Sequence, residues 1–298
     1  MTTMSIRGAS LYVKTTGHGY PLLLMHGGPS LDHTSLLPLE PLADQFTLIF
    51  YDHRCNGRSE GADVSSMTWE NLTADADALR QELGFDKWAV LGHSFGGNVA
   101  LEYALRYGQN LSHLVLMNTG GDQRWVRKNA PELLAKRGFS ASAVEAARRF
   151  YSGQVTPESY QRTVMKFMTG YFYHFNPLTT ALGMLKGPQT VYRPEALIQG
   201  YGQLLDGWTV MDRLSEIHTP ALVLAGRYCF LFPPEHQAIL ADRLPHAKLE
   251  LIERAGHNPQ MEQPAETLRA IREFLADAGP GVQVTSALHP APAGEERT

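Results

Sequence analysis

Short apolar runs alternate with helix-length amphipathic stretches along this chain, and that alternation limits the fold more than any other feature. SLYVKTTG at 10–17 and YPLLLMHGG at 20–28 read as an opening strand, a glycine turn and a buried strand. FTLIFYDHR at 46–54, WAVLGHS at 88–94 and HLVLMNTGG at 113–121 read as further buried strands. The helical patterns TWENLTADADALRQELGF and FGGNVALEYALRYG separate the last three. The pattern resumes with ALVLAGRY at 221–228 and KLELIERAGH at 248–257, each followed by a helical stretch. Apolar runs of strand length joined by helices are βαβ units. The expected fold class is α/β, with a mostly parallel twisted sheet and helices on both faces.

Between about Asp122 and His218 the chain changes character. PELLAKRGF, SAVEAARRFYSG, TPESYQRTVMKFMTGYFYHF and RPEALIQGYGQLLDGW are helical in period and carry no buried-strand signal. A helical insertion at that point reads as a lid over the carboxyl edge of the sheet. The expected organisation is a sheet core from 1–121 and 219–278, a helical lid from 122–218, and a mobile Pro/Gly/Ala-rich tail from 279–298.

Composition narrows the function classes. A formal charge of -4 offers no field for a phosphate backbone, which argues against nucleic acid as a partner. No apolar run approaches the roughly 20 residues of a membrane span, and the first residues lack the pattern of a secretory signal. Two cysteines, Cys55 and Cys229, cannot build a disulfide framework. The expectation is a cytoplasmic protein acting on a small-molecule substrate, with no membrane partner. The oligomeric state is not legible.

The chemistry concentrates at Gly92-His93-Ser94-Phe95-Gly96, directly after a strand pattern and before a helical one. In that context Gly-x-Ser-x-Gly is a nucleophile elbow: a strained turn lifts the serine hydroxyl above the sheet, and the flanking positions must lack side chains. The helix that follows points its positive end at a developing oxyanion. The amide of Phe95 is one expected oxyanion donor, and His26-Gly27-Gly28-Pro29 supplies the second through Gly27 and Gly28. His257 follows the last expected strand at the same edge as Ser94, where a general base belongs. No dinucleotide fingerprint, phosphate loop or metal-ligand cluster appears, so no cofactor and no metal are expected.

Together HGGPS, YDHRCNGRS, GHSFGG, LAGRY and AGHNPQMEQP resemble the α/β-hydrolase superfamily over about residues 5 to 277. The first two look most like its proline iminopeptidase branch. The resemblance implies an α/β-hydrolase fold with a helical lid inserted after strand six, Ser94 as nucleophile and His257 as base. It also makes 52–59 a structural loop, in which Cys55 stands for a family glycine, as Ser30 does at the end of HGGPS. In the family's strand order Cys55 and Cys229 lie too far apart for a disulfide.

The resemblance also exposes a departure. The family's triad acid stands in a Gly-x-x-Asp segment, which here reads Gly226-Arg227-Tyr228-Cys229. Three readings follow: Asp122 serves as the acid, Cys229 serves as thiolate or weak acceptor, or the site is disabled. The neighbour Phe230 is apolar where the branch often carries an amine-binding carboxylate. Aromatics of the lid, Phe172 and Trp208 among them, join His26 and Phe230 as the expected apolar pocket. The functional expectation is a cofactor-free serine hydrolase that cleaves an ester, lactone or amide through an acyl-enzyme on Ser94. A proline iminopeptidase-type aminopeptidase is one alternative. A catalytically impaired, ligand-binding or lyase member is the other.

Overall fold

The computed structural model describes residues 2–177 and 189–278. The expected tail at 279–298 lies outside the described residues. The sheet has eight strands in the order β1-β2-β4-β3-β5-β6-β7-β8. They are β1 (Thr2–Ile6), β2 (Ala9–Thr16), β3 (Tyr20–Met25), β4 (Phe46–Tyr51), β5 (Trp88–His93), β6 (Leu111–Met117), β7 (Ala221–Gly226) and β8 (Ala247–Ile252). The pairs β1·β2 and β2·β4 are antiparallel, and every other neighbouring pair is parallel. Strand β1, absent from the sequence reading, joins β2 through Arg7-Gly8, both at positive φ as a two-residue hairpin requires.

The central strands are apolar on both faces because helices cover both. Leu22, Leu24, Leu48, Phe50, Leu91 and Val115 point into one buried cluster, which Leu36, Leu39 and Ile271 close. The alternate residues Leu23, Met25, Ile49, Val90 and Leu116 point into the other. That second layer holds α1 (Trp69–Glu82) and α2 (Phe95–Tyr107). After β7 come α7 (Pro234–Arg243), α8 (Pro259–Glu262) and α9 (Pro264–Phe274).

Between β6 and β7 the described chain is helical: α3 (Gln123–Lys136), α4 (Ala141–Tyr151), α5 (Pro157–Val164) and α6 (Pro194–Gln199). The two ends of this insertion are stitched together where it leaves the sheet. Val210 N donates to Gly121 O at 2.8 Å and Gln123 N to Trp208 O at 3.0 Å. The helix expected over 156–175 ends at Val164. A 3-10 turn at Met168–Tyr171 follows, and Phe172 is extended. That change of path lays 171–172 against the Gly256 backbone, where a Cβ on Gly256 would come 2.4 Å from Tyr171 O.

Two loops at the carboxyl edge hold each other. Asp52 Oδ1 accepts from His33 N at 2.9 Å and His33 Nδ1 at 2.6 Å, while Oδ2 accepts from Arg58 N at 2.8 Å. Burial opposes the charge of Asp52, but the His33 hydrogen bond and the neighbouring groups hold its pKa below the usual carboxylate value. Arg54 grips Asp75 of α1 through two bonds, at 2.7 and 2.8 Å. The two residues that stand where the resemblance implies glycines both sit at positive φ, Ser30 at 115° and Cys55 at 64°. For a residue with a side chain such backbone costs on the order of 1–3 kcal/mol. Ser30→Gly is therefore expected to raise the unfolding free energy by about 1 kcal/mol. Urea denaturation with an unchanged m-value checks it; an unchanged or lower midpoint would show that the strain is not stored there.

Candidate active site

The site begins with a close approach of backbones. β5 ends at His93, Ser94 turns with φ 55° and ψ −120°, and α2 starts at Phe95. A Cβ on Gly92 would meet Gly96 O at 2.4 Å, and one on Gly96 would meet Met25 O at 2.1 Å. Only glycines let this turn wedge between β3 and its own helix. Ser94 O accepts from Gly97 N at 2.9 Å and from Thr119 Oγ1 at 2.7 Å, which fixes the turn. Ser94 makes no side-chain cap bond, so its hydroxyl is not spent on its own helix.

The expected oxyanion donors lie around this turn. A Cβ on Gly27 would come 3.0 Å from Ser94 Cβ. Among the described residues, the amides of Gly27, Gly28 and Phe95 donate to no other protein group. His26 sets the path of this loop. Its Nε2 accepts from His53 N at 3.1 Å, so Nδ1 carries the proton and donates to Gly27 O at 3.0 Å. His53 in turn donates from Nε2 to His26 O at 3.3 Å and accepts from Tyr51 OH at 2.9 Å.

His257 stands on the same edge, held by its main chain. Its N–H donates to Tyr171 O at 2.6 Å. Its carbonyl accepts from His93 Nε2 at 2.9 Å and from Asn118 Nδ2 at 3.0 Å. The ring lies among His93, Tyr171 and Phe232, with centroids 4.9, 5.2 and 6.0 Å away. Burial, with the neighbouring His93, pushes its pKa well below the usual histidine value.

The partner of His257 Nδ1 is Cys229 Sγ at 3.3 Å. Burial pushes the thiol up to about 12, although the Phe232 amide donates to the sulfur at 3.4 Å. The contact therefore joins two neutral groups, and it allows two tautomers. If the thiol donates to Nδ1, the ring proton sits on Nε2 and that nitrogen cannot take a proton from Ser94. If Nδ1–H donates to sulfur, Nε2 is free to act as base. A carboxylate would enforce the second arrangement; a thiol does not.

Asp122 does not fill this place. It is the N-cap of α3, where Oδ1 accepts from Arg124 N at 2.9 Å and the Arg124 guanidinium binds both oxygens. No hydrogen bond joins it to His257, and the expectation of Asp122 as acid is corrected on that geometry. Two pocket assignments also change. His26 has 0% and Phe230 1% of its surface accessible, so neither presents a wall to a ligand. His26 holds the Gly27 loop instead. Phe230 packs edge-on against Tyr171, with the Arg137 guanidinium over its ring. Trp208 lies at 5.0 Å from Trp69 and donates from Nε1 to Glu102 at 2.8 Å, and Trp69 leads on to Phe95 at 6.1 Å. Phe172 is half-buried against Phe175 and the Gly256 loop.

The sequence reading missed Asn118 and Glu262. Asn118 follows β6 beside the elbow, ties Gly256 and His257 carbonyls together, and accepts from Gly226 N at 3.1 Å. Its position at a strand's carboxyl end was the available signal. Glu262 lay in a quoted motif, but its partners come from a distant segment.

A family model described as the alpha/beta hydrolase fold matches residues 20–264. A proline iminopeptidase of Clostridioides difficile is 28% identical, covering 91% of this chain and 96% of that protein. The crystal structure of a Mycobacterium smegmatis proline iminopeptidase superposes with a TM-score of 0.72 at 23% identity, over 92% of this chain and 97% of that one. A thermophilic esterase from Thermogutta terrifontis superposes at 0.64 with 28% identity, over 92% and 96%.

Buried neutral histidines give the fold an acid limit. Burial lowers the pKa of His26, His53, His93 and His257, with His93 brought to about 4. The unfolded chain then binds more protons below its histidine pKa near 6.5, so stability falls as pH drops from about 6.5 toward 4. Thermal melts across pH 8 to 5 are expected to be flat above that point and to decline below it. A flat profile throughout would contradict the neutral cluster.

Proposed function

The chain belongs to the alpha/beta hydrolase fold family, and from that premise we propose that it is a serine hydrolase acting through an acyl-enzyme on Ser94. The observation that carries this reading is the strained Ser94 turn, with the Phe95 amide, unpaired among the described residues, at the start of a 13-residue helix. A carbonyl carbon seated at the hydroxyl places its oxygen toward Phe95 and the Gly27–Gly28 loop. His257 takes the serine proton, passes it to the leaving group, and then activates water for deacylation. The insertion at 122–218 acts as a lid whose aromatics shape an apolar acyl pocket.

The substrate in this reading is a small apolar or aromatic ester, lactone or amide. The relatives named proline iminopeptidase favour an aminopeptidase as the second reading. That specificity needs a carboxylate turned toward a substrate amine. Apart from Asp122, held by Arg124, every carboxylate on the described part of 122–218 is solvent-exposed. Activated esters are thus expected to be better substrates than proline p-nitroanilide. The thiol at Cys229 makes the enzyme slow, since the wrong-tautomer population of His257 cannot take the proton and a neutral sulfur stabilises imidazolium poorly.

Ser94→Ala is expected to abolish both p-nitrophenyl ester turnover and fluorophosphonate labelling. Native protein that neither labels nor turns over such esters would sink the hydrolase reading in favour of a ligand-binding or lyase role. Cys229→Asp is expected to raise kcat by roughly 10²–10⁴-fold. The new anion also raises the His257 pKa, so the acid limb of the kcat/KM profile moves to higher pH in the variant. Unchanged kcat and an unmoved limb would show that the thiol is not the limiting group.

A further inference from the structure

His257 is flanked by a carboxylate that the chemistry above does not use. Glu262 ends α8, five residues beyond the histidine, and its two oxygens face different parts of the chain. Oε2 accepts from Gly256 N at 2.7 Å. Oε1 accepts from Tyr173 N at 2.7 Å and from His174 N at 3.4 Å. One side chain therefore holds the residue before His257 and the stretch of insertion that crosses over it. The same two segments meet directly through the His257 N–H bond to Tyr171 O at 2.6 Å. The approach is close enough that a Cβ on Gly256 would come 2.9 Å from Phe172 Cα.

We propose that Glu262 is a positioning residue that couples the 171–174 segment of the insertion to the His257 loop, so that the two open and close as one unit. The chemistry of the contact supports this role. A carboxylate accepts several amides at once, and such charge-assisted bonds are about twice as strong as neutral ones. Glutamine can present only one acceptor oxygen and would turn an NH₂ group toward an amide on the other side. The side-chain fixation that an aspartate would give His257 is absent at Cys229. Main-chain fixation carries more of the burden here, with Tyr171, His93, Asn118 and Glu262 as its anchors.

The kinetic part of this inference rests on the hydrolase reading, and the exchange part does not. In Glu262→Gln, amide exchange at Gly256, Tyr173 and His174 is expected to rise together by about ten-fold, with β5 amides unchanged. Ester turnover is expected to lose roughly ten- to hundred-fold in kcat with KM within about two-fold, because the base is displaced rather than the pocket. Exchange that rises at Gly256 alone, or a lowered melting point with kcat unchanged, would overturn the proposal. Should the variant not fold, exchange in the native protein across a denaturant series decides. Equal opening free energies at the three amides support the coupling, and separate ones overturn it. If native protein shows no Ser94 labelling, the hydrolase reading fails while the exchange result still stands.

Discussion

The Ser94 backbone, at φ 55° and ψ −120°, survives only because β3, β5 and α2 meet with no side chain between them. A residue in that region costs on the order of 1–3 kcal/mol, and the surrounding sheet must over-determine it. Gly92 and Gly96 make the approach possible, and the Thr119 hydroxyl and Gly97 amide lock the Ser94 carbonyl. Once the turn is fixed, the rest of the edge is placed from it. His93, one residue earlier, reaches across to the His257 carbonyl, so Ser94 and His257 are registered through adjacent residues of one strand end. The His26–His53 pair registers the Gly27–Gly28 loop from β3 and β4 in the same way.

Against that rigid frame the group that meets His257 Nδ1 stands out as chemically weak. Cys229 meets His257 Nδ1 but, with its pKa near 12, has no charge to offer a histidine at working pH. The main chain beside it is firmly held, with four separate groups on 256–257. Main-chain bonds fix where the imidazole stands. They do not choose which nitrogen carries its proton, and that choice was the aspartate's other task.

Much of the fold was legible because it is written in strong local signals. Two-sided apolar strands, the Gly-x-Ser-x-Gly turn and the helical period of 122–218 each follow from short-range patterns. The same kind of local pattern singled out Ser94, Gly27, Gly28, Phe95 and His257 as candidates. What was lost depends on long-range pairing. Asp122 follows a glycine pair at a strand end and can serve equally as acid or helix cap, and only the Arg124 guanidinium decides. Phe230 and His26 are next to the right residues in sequence, yet their rings point into packed protein. Glu262 meets Tyr173 and His174 across 89 and 88 residues, a contact no local pattern announces. Strand β1 was hidden because MTTMSI has neither an apolar run nor a clean alternation.

The central claim is that Ser94 is acylated during turnover while the Cys229 thiol is not. Rapid-quench mass spectrometry during hydrolysis of a p-nitrophenyl ester tests it directly. The expected result is an acyl group on the peptide that contains Ser94, accumulating because deacylation also depends on a histidine whose neighbour is uncharged. Turnover with no acyl adduct on that peptide, or an adduct on Cys229, would contradict the account.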